Sequence, residues 1–183
     1  RIGTAGNQTT FINSMIGGGS VTLGTKNISI VPWAIAEEFT SGIADTNMGN
    51  SLATYVSGQG FRALTFGTEY NTYTASSVAT ENIRESVTTD LTGLAGKTIN
   101  ALVLNNNNTT ASTINVTGTG AGQTLAVTSG AMLFTLNTGA AASSANNIVL
   151  GGFNSGITVG STNEYIFHVV NPSSVATTAT LQA

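Results

Sequence analysis

The second half of this chain repeats one small unit: a short burst of β-branched and apolar residues, followed by a turn of Gly, Asn, Ser and Thr. The bursts recur roughly every 8 to 15 residues, and each is too short for a helix. In chain order they are Thr98 to Leu104, Thr113 to Val116, Thr124 to Thr128, Met132 to Leu136, Ile148 to Leu150, Ile157 to Val159 and Tyr165 to Val170. The pattern predicts many short β-strands that fit a pleated, half-buried surface.

The composition favours strands that stack on one another. Only 7% of the residues are charged and 40% are hydrophobic, whereas about 25% are charged in an ordinary globular protein. When one turn of chain lies on the next at about 4.8 Å, a column of Thr or Asn can hydrogen-bond along itself, whereas a column of Lys would repel. We therefore predict an all-β parallel β-solenoid, or β-helix; the alternative is a β-sandwich-type fibre subunit.

The chain has two regions that differ in residue composition and regularity, and we interpret both as parts of one solenoid segment covering 1–183. A more aromatic first part, with a loop, runs to about residue 73, and a regular, small-residued part covers about 74–183. We expect one core of stacked apolar columns through both parts, with roughly 25 to 30 residues per turn and about six or seven turns. Neither end carries a polar cap, so we expect the segment to belong to a longer chain.

Several functional classes are excluded by charge and residue usage. The net charge is −3 and the five basic residues are scattered, which argues against a nucleic-acid partner. We predict no membrane span, because no apolar run approaches the 18 or so residues that a span needs. The absence of cysteine excludes disulfides, thiolate metal sites and a cysteine nucleophile. We predict no metal and no cofactor, since no calcium-loop motif is present.

Two local features resemble catalytic motifs but lack their partners. The run GLAGKT (Gly93 to Thr98) ends like a phosphate loop, but such a loop needs Gly at position 91, which is Leu. We interpret it as a turn that enters a strand. His168 is the only histidine, so a triad or metal site around it would need residues from afar. We therefore predict no catalytic residues and no enzyme activity.

Two sets of residues are candidates for structural or binding roles. Asn tolerates left-handed backbone and can stack its amide, so we predict turns with amide ladders at Asn105, Asn106, Asn107, Asn108, Asn146 and Asn147. Ligand or interface candidates are Trp33, Tyr55 and Tyr70. A carbohydrate-binding module would expose these three aromatic side chains on one face. For Trp33 we favour packing in the core or at an end of the fold over a sugar platform.

A succession of segments resembles a known family. It runs VTLGTKNISIVPWAI (Val21 to Ile35), LATYVSGQGFRALT (Leu52 to Thr65), TENIR (Thr80 to Arg84), LAGKTINALVL (Leu94 to Leu104), GQTLAVTSGAMLF (Gly122 to Phe134) and NEYIFHVVNP (Asn163 to Pro172). In this order the segments resemble the autotransporter-associated β-strand repeat proteins, which are large bacterial surface or secreted proteins. The resemblance implies a right-handed parallel β-helix and no catalytic residues. The chain departs from the family in lacking its glycine-rich repeat, GGLTKxGxGTLxL.

These observations together predict a mechanical role outside the cell. We expect an extracellular or bacterial cell-surface protein that forms a fibre, stalk or surface layer. Its partners would be copies of itself stacked end to end into a filament, or the continuation of a longer chain. The alternative is an adhesin or carbohydrate-binding module for a surface polysaccharide. A polysaccharide-active enzyme is a weaker alternative, since it would need two carboxylates about 5 to 10 Å apart.

Overall fold

Most of the residues that the structure describes lie in β-strands. The computed structural model describes residues 22–38, 49–56, 59–136, 145–160, 164–171 and 176–182. Within these ranges the strands are β1 (Val31–Ala36), β2 (Ser51–Val56), β3 (Gly60–Ala63), β4 (Asn82–Val87), β5 (Leu91–Leu94), β6 (Lys97–Ile99), β7 (Ala101–Asn106), β8 (Ser112–Gly120), β9 (Leu125–Val127), β10 (Ala131–Leu136), β11 (Asn146–Phe153), β12 (Ile157–Val159), β13 (Ile166–Val170) and β14 (Ala179–Leu181). The prediction of an all-β fold is confirmed.

Helix is confined to one short turn in the described residues, α1 (Phe66–Glu69), which follows β3. In the same part of the chain, no helix has the length and apolar character needed to cross a membrane.

Three sheets with parallel pairing contain every strand from β4 onward. The first parallel sheet has the order β13-β10-β7-β4, the second β14-β11-β8-β5 and the third β12-β9-β6. Each strand therefore pairs with the strand three places later in the chain. We call each successive visit to the three sheets a pass; the first pass is β4, β5 and β6. Each of the seven predicted bursts overlaps these strands; the first is divided between β6 and β7 at Asn100, and Thr124, Thr128 and Tyr165 lie just outside β9 and β13.

The spacing of the passes is less regular than expected. Ile83, Leu102, Met132 and Phe167 are successive partners in the first parallel sheet, so its strands lie 19, 30 and 35 residues apart. The connection from the first to the second sheet lengthens from three residues after β4 to five after β7 and nine after β10. The described residues make three passes and part of a fourth, fewer than the predicted six or seven turns, because the first part of the chain does not join the passes.

All three parallel sheets contribute to one buried cluster, which we call the inner core. Its side chains are Ile83, Ile99, Leu102, Leu104, Ile114, Val116, Leu125, Val127, Met132, Phe134, Leu136, Ile148, Leu150 and Phe153. They repeat at matching register positions, as in the column of Leu102 and Met132. Burying one side chain of this size stabilises the fold by about 1.5–3 kcal/mol, so the inner core is the main source of stability.

The first part of the chain forms a separate antiparallel sheet with the order β1-β2-β3. Its residues and those around α1 pack against the other face of the first parallel sheet, in a second cluster that we call the outer core. The outer core contains Ile28, Ile30, Leu52, Leu64, Tyr70, Ala101, Val103, Ala131 and Leu133. Strands β7 and β10 are consequently buried along their whole length, which explains their unbroken apolar runs.

This arrangement differs from the single core expected to run through both parts of the chain. The sequence ALVL in β7 sends Leu102 and Leu104 into the inner core and Val103 into the outer core. Alternate residues of a strand point to opposite faces. An apolar residue at every position therefore indicates a strand covered on both sides, and the first part of the chain supplies the second cover.

Candidate functional site at the exposed last strands

The last strands of the parallel sheets leave large apolar side chains exposed. Phe167 is in register with Met132, Val169 with Phe134, and Leu181 with Leu150. The three earlier residues are buried in the inner core, but Phe167 is 42% exposed, Val169 54% and Leu181 41%. The columns of the inner core therefore continue onto side chains that the described fold leaves in contact with solvent. We call this surface the open end.

The open end carries a shallow apolar groove. Its volume is about 330 Å³, and it is lined by Ile157, Tyr165, Phe167, Leu181 and Gln182. The rings of Tyr165 and Phe167 are stacked, with centroids 5.7 Å apart and planes 7° from parallel. The Tyr165 hydroxyl donates to the carbonyl oxygen of Ile157, at the start of β12. A stacked aromatic pair therefore lines the groove.

The opposite end of the inner core is covered by residues 71 to 73. Asn71 pairs with the edge of β4, since its N–H donates to the Asn82 carbonyl at 2.8 Å and its carbonyl accepts from Arg84 N–H at 2.9 Å. Tyr73 packs against the inner core, and its hydroxyl donates to the Ala95 carbonyl at 2.8 Å. Burial raises the pKa of Tyr73 to about 12. We call this covered surface the closed end, and the two ends of the inner core are therefore unlike. The first residues of the chain, which were expected to lack a cap, lie outside the described residues.

Glu85 is an acidic group at this closed end. It lies in register with Leu104 on β4, and its carboxylate accepts a hydrogen bond from the N–H of Tyr73. Partial burial raises its pKa, and the Tyr73 hydrogen bond and nearby Arg84 only partly oppose this shift. Burial at the closed end therefore makes Glu85 easier to protonate than a glutamate in water.

The predicted asparagines connect strands to one another. Asn105 lies between Ser86 and Thr135 in the first parallel sheet; its Nδ2 donates to Ser86 Oγ at 2.7 Å, and its Oδ1 accepts from Thr135 Oγ1 at 2.8 Å. Asn105 and Asn106 are the last residues of β7 and not turn residues. Both are buried, so their amides have exchanged water for partners within the fold.

The turn after β7 is joined to the start of β11 by side-chain amides. Asn106 Nδ2 donates to the Asn147 carbonyl at 2.9 Å, and Asn146 Nδ2 donates to the Asn108 carbonyl at 2.7 Å. Asn147 Oδ1 in turn accepts from the N–H of Thr178 at 2.7 Å. Asn107 is exposed, and its backbone N–H donates to Val87. Apart from the Asn107 side chain, these groups hold one pass against the next.

A second amide ladder was missed in the sequence. Asn100 Nδ2 donates to Asn82 Oδ1 at 2.6 Å, Asn82 Nδ2 donates to the Ile28 carbonyl at 2.9 Å, and Ser129 Oγ donates to the Asn100 carbonyl at 2.6 Å. Asn82 and Asn100 are fully buried. The signal that could have found them is their place at the start of a strand: Asn82 is the first residue of β4, and Asn100 directly precedes β7.

The three aromatic candidates do not share one face. Tyr70 is buried in the outer core; its hydroxyl lies 2.9 Å from Ser51 Oγ and accepts from Leu52 N–H at 2.9 Å. Burial raises the pKa of Tyr70 to about 12. Tyr70 is therefore a core residue, and its prediction as a ligand or interface residue is wrong. The sequence pattern did not distinguish its environment from that of the surface aromatics.

Trp33 and Tyr55 instead meet Phe61 on the antiparallel sheet. The ring centroids of Trp33 and Phe61 are 6.4 Å apart, those of Tyr55 and Phe61 5.5 Å, and both pairs are edge-to-face. Trp33 is 52% exposed and Phe61 42%. The expectation that Trp33 plugs the core or an end is therefore wrong, because its strand presents it to solvent. We call these three residues the aromatic cluster.

Arg62 and Glu69 are paired with each other beside the outer core. Arg62 and Glu69 form an ion pair of 2.6 Å, and Glu69 also accepts from the N–H groups of Gly24 and Thr65. The Glu69 side chain is 1% exposed. Its burial raises the pKa, but the hydrogen bonds from Arg62, Thr65 and Gly24 outweigh burial and leave the pKa below its ordinary value. Glu69 thus joins three segments as a buried carboxylate.

The isolated histidine and the acidic residues do not converge. His168 Nε2 lies 3.0 Å from the Pro32 carbonyl, where β13 meets β1. Asp90 is bound to Asn115, and Glu81 to Asn71. In the described ranges no group of three His, Asp or Glu residues is placed to hold a metal ion. The GLAGKT run forms the end of β5, a two-residue turn and the start of β6.

Comparisons with family models, with curated proteins and with solved structures found no match.

Proposed function

We propose that this chain is a right-handed parallel β-solenoid of the autotransporter-associated β-strand repeat type, and that it serves as a structural segment of an extracellular or cell-surface bacterial protein. The parallel pairing from β4 to β14 and the fixed order of the three sheets support the solenoid. The β-sandwich alternative is weaker, because sandwiches of the immunoglobulin type are built from antiparallel sheets. The proposed location outside the cell or at its surface rests on the resemblance of the sequence to that family.

The observation that carries the proposal is the continuation of the inner-core columns onto the open end. Phe167, Val169 and Leu181 occupy register positions at which the preceding pass buries Met132, Phe134 and Leu150 in the inner core. A further pass stacked on β12, β13 and β14 would bury them in the same way, with a gain of about 1.5–3 kcal/mol for each side chain. We infer that the open end receives more β-structure, from another copy or from a longer chain, and that the assembly provides length and stiffness.

The experiment is sedimentation of residues 1–183 from low to high micromolar concentration. We expect self-association that Phe167→Asp abolishes, because a carboxylate in a stacked column lacks a partner. The matched control is Phe61→Asp, which alters a side chain of equal exposure on the antiparallel sheet and should leave association unchanged.

A monomer at every concentration would contradict stacking between copies. Electron micrographs of the native material separate the remaining outcomes. A rod or filament is expected from a structural segment, and a compact globule would overturn the proposal.

The aromatic cluster favours a second candidate, a binding module for a surface polysaccharide. Trp33 is 52% exposed, and the contact with Phe61 limits the orientations of its ring. Exposed aromatic side chains on a rigid sheet are typical of binding surfaces. The test is binding of the chain to insoluble polysaccharides. Trp33→Ala should abolish retention if this candidate is right, and the buried substitution Tyr70→Phe should leave retention unchanged.

A further inference from the structure

An amine, an amide and a carboxylate lie in line where the first part of the chain meets β4. Lys26 Nζ donates to Asn71 Oδ1 at 2.8 Å, and Asn71 Nδ2 donates to Glu81 Oε1 at 3.0 Å. The other carboxylate oxygen of Glu81 accepts from Val78 N–H at 3.1 Å. The side-chain amide of Asn71 is therefore contacted by a nucleophile through its oxygen and by an acid or base through its nitrogen.

The backbones of these residues are tied together at one point. Asn82 N–H donates to the Lys26 carbonyl at 2.9 Å, and Asn71 N–H donates to the Asn82 carbonyl at 2.8 Å. Glu81 is the residue before Asn82. Asn71 and Glu81 are half-buried, whereas Lys26 is exposed. The three side chains thus project from fixed backbone, and holding reactants in place in this way greatly raises the rate of a slow reaction.

We propose that Lys26 and Asn71 form an intramolecular isopeptide bond, with Glu81 as the acid and base. Lys26 Nζ, in its unprotonated form, attacks Asn71 Cγ, and a new C–N bond forms. Glu81, as a carboxylate, takes a proton from the attacking nitrogen and delivers it to Nδ2 as the Cγ–Nδ2 bond breaks. The products are a secondary amide between the two side chains and one ammonia. The reaction needs no oxidant, metal or cofactor.

The position gives such a bond a structural purpose. Lys26 precedes the antiparallel sheet and Asn71 follows it, so the bond would close a loop that contains β1, β2, β3 and α1. The chain contains no cysteine, so a disulfide cannot supply this link. A covalent closure of a long loop restricts the unfolded chain and favours the folded one. The proposal does not depend on the proposed function, because it concerns the junction of the two parts of the chain.

The test is the intact mass of the purified chain after prolonged incubation at mildly alkaline pH. We expect a mass lower by one ammonia, and a branched peptide that joins Lys26 to Asn71 in tandem mass spectra of a protease digest. Lys26→Arg and Asn71→Ala should keep the full mass, and Glu81→Gln should slow the loss of ammonia at least tenfold. Lys97→Arg is the matched control, because the Lys97 amine donates to the Ala75 carbonyl and not to an amide side chain.

Three outcomes would overturn the proposal. The first is an intact mass that shows no loss of ammonia, together with acetylation of both Lys26 and Lys97 when the folded chain is treated with an acetylating reagent. The second is an ammonia loss that survives Lys26→Arg, since this would indicate a succinimide at an asparagine. The third is a rate of loss that is unchanged by Glu81→Gln, which would remove Glu81 from the reaction.

Discussion

Gly130 lies so close to Glu164 that a Cβ atom at position 130 would overlap the Glu164 carbonyl oxygen. Gly130 also has a φ of 72°, and its carbonyl accepts from Ile166 N–H at 2.9 Å. The residue therefore combines left-handed backbone with a close approach between the passes that contain β10 and β13. Both requirements exclude a side chain.

The first prediction is that Gly130→Ala destabilises the fold by more than about 2 kcal/mol, since the clash adds to the left-handed strain of about 1–2 kcal/mol. The measurement is the midpoint of denaturant unfolding. Gly93→Ala is the control, because Gly93 has nearly the same φ, 73°, but nothing within 4 Å of an added Cβ. Equal losses of stability in the two variants would show that the contact with Glu164 does not contribute to the effect of Gly130→Ala.

The second prediction separates two neighbouring asparagines. Asn106 is fully buried and its Nδ2 donates to the Asn147 carbonyl, so Asn106→Asp replaces a donor with a charge that faces a carbonyl oxygen. We expect a loss of about 2 kcal/mol or more. Asn107→Asp, next to it and exposed, should unfold near the parent midpoint. The prediction fails if the two variants are equally stable.

The third prediction concerns Glu85 and pH. Its raised pKa means that the folded state binds this proton more tightly than the unfolded state, so stability from Glu85 falls as pH rises through the folded pKa. Glu85→Gln removes the burial penalty and keeps an oxygen for Tyr73 N–H. We expect the variant to be more stable at neutral pH, with the advantage shrinking as pH is lowered. Glu164→Gln, an exposed change of the same charge, is the control. A variant less stable at all pH values would contradict the prediction.

The fourth prediction concerns Glu69, which behaves in the opposite way. Its pKa is lowered, so its contribution is present above the ordinary glutamate pKa and is lost as pH falls through the lower folded pKa. Glu69→Gln should cost about 2–3 kcal/mol at neutral pH, because Arg62 and two N–H groups lose an anionic acceptor. The loss should shrink in strong acid.

A double-mutant cycle with Arg62→Gln checks this pair. The two substitutions should be clearly non-additive, because both remove the same interaction. Additive losses would indicate that the Gly24 and Thr65 hydrogen bonds account for the effect of Glu69 alone.

The strands of the second half could be predicted because the side chains of their apolar bursts are the ones that the fold buries. Met132 to Leu136 and Ile148 to Leu150 lie in β10 and β11 as expected. Pairing of the first part could not be predicted, since Val103 and Leu133 are equally apolar whether they face another column or a separate sheet. The positions of Trp33 and Tyr70 depend on that sheet, and their environments were therefore assigned wrongly.

Amide partners were predictable only in part. Asn105 to Asn108 form a run that stands out in the sequence, but Asn82 and Asn100 are single residues whose 2.6 Å contact depends on β4 and β7 being neighbours. The triad of Lys26, Asn71 and Glu81 likewise depends on three segments that meet at Asn82. Such contacts follow from register, which single residues do not encode.

The residues of the closed end are synthesised before those of the open end. Tyr73 and Asn71 precede β4 in the chain, so they leave the ribosome before any pass is made. The edge with which each later pass pairs is likewise synthesised earlier, β4 before β7 and β7 before β10. We therefore expect the closed end to act as a starting template, with the fold growing during translation towards Phe167 and Leu181.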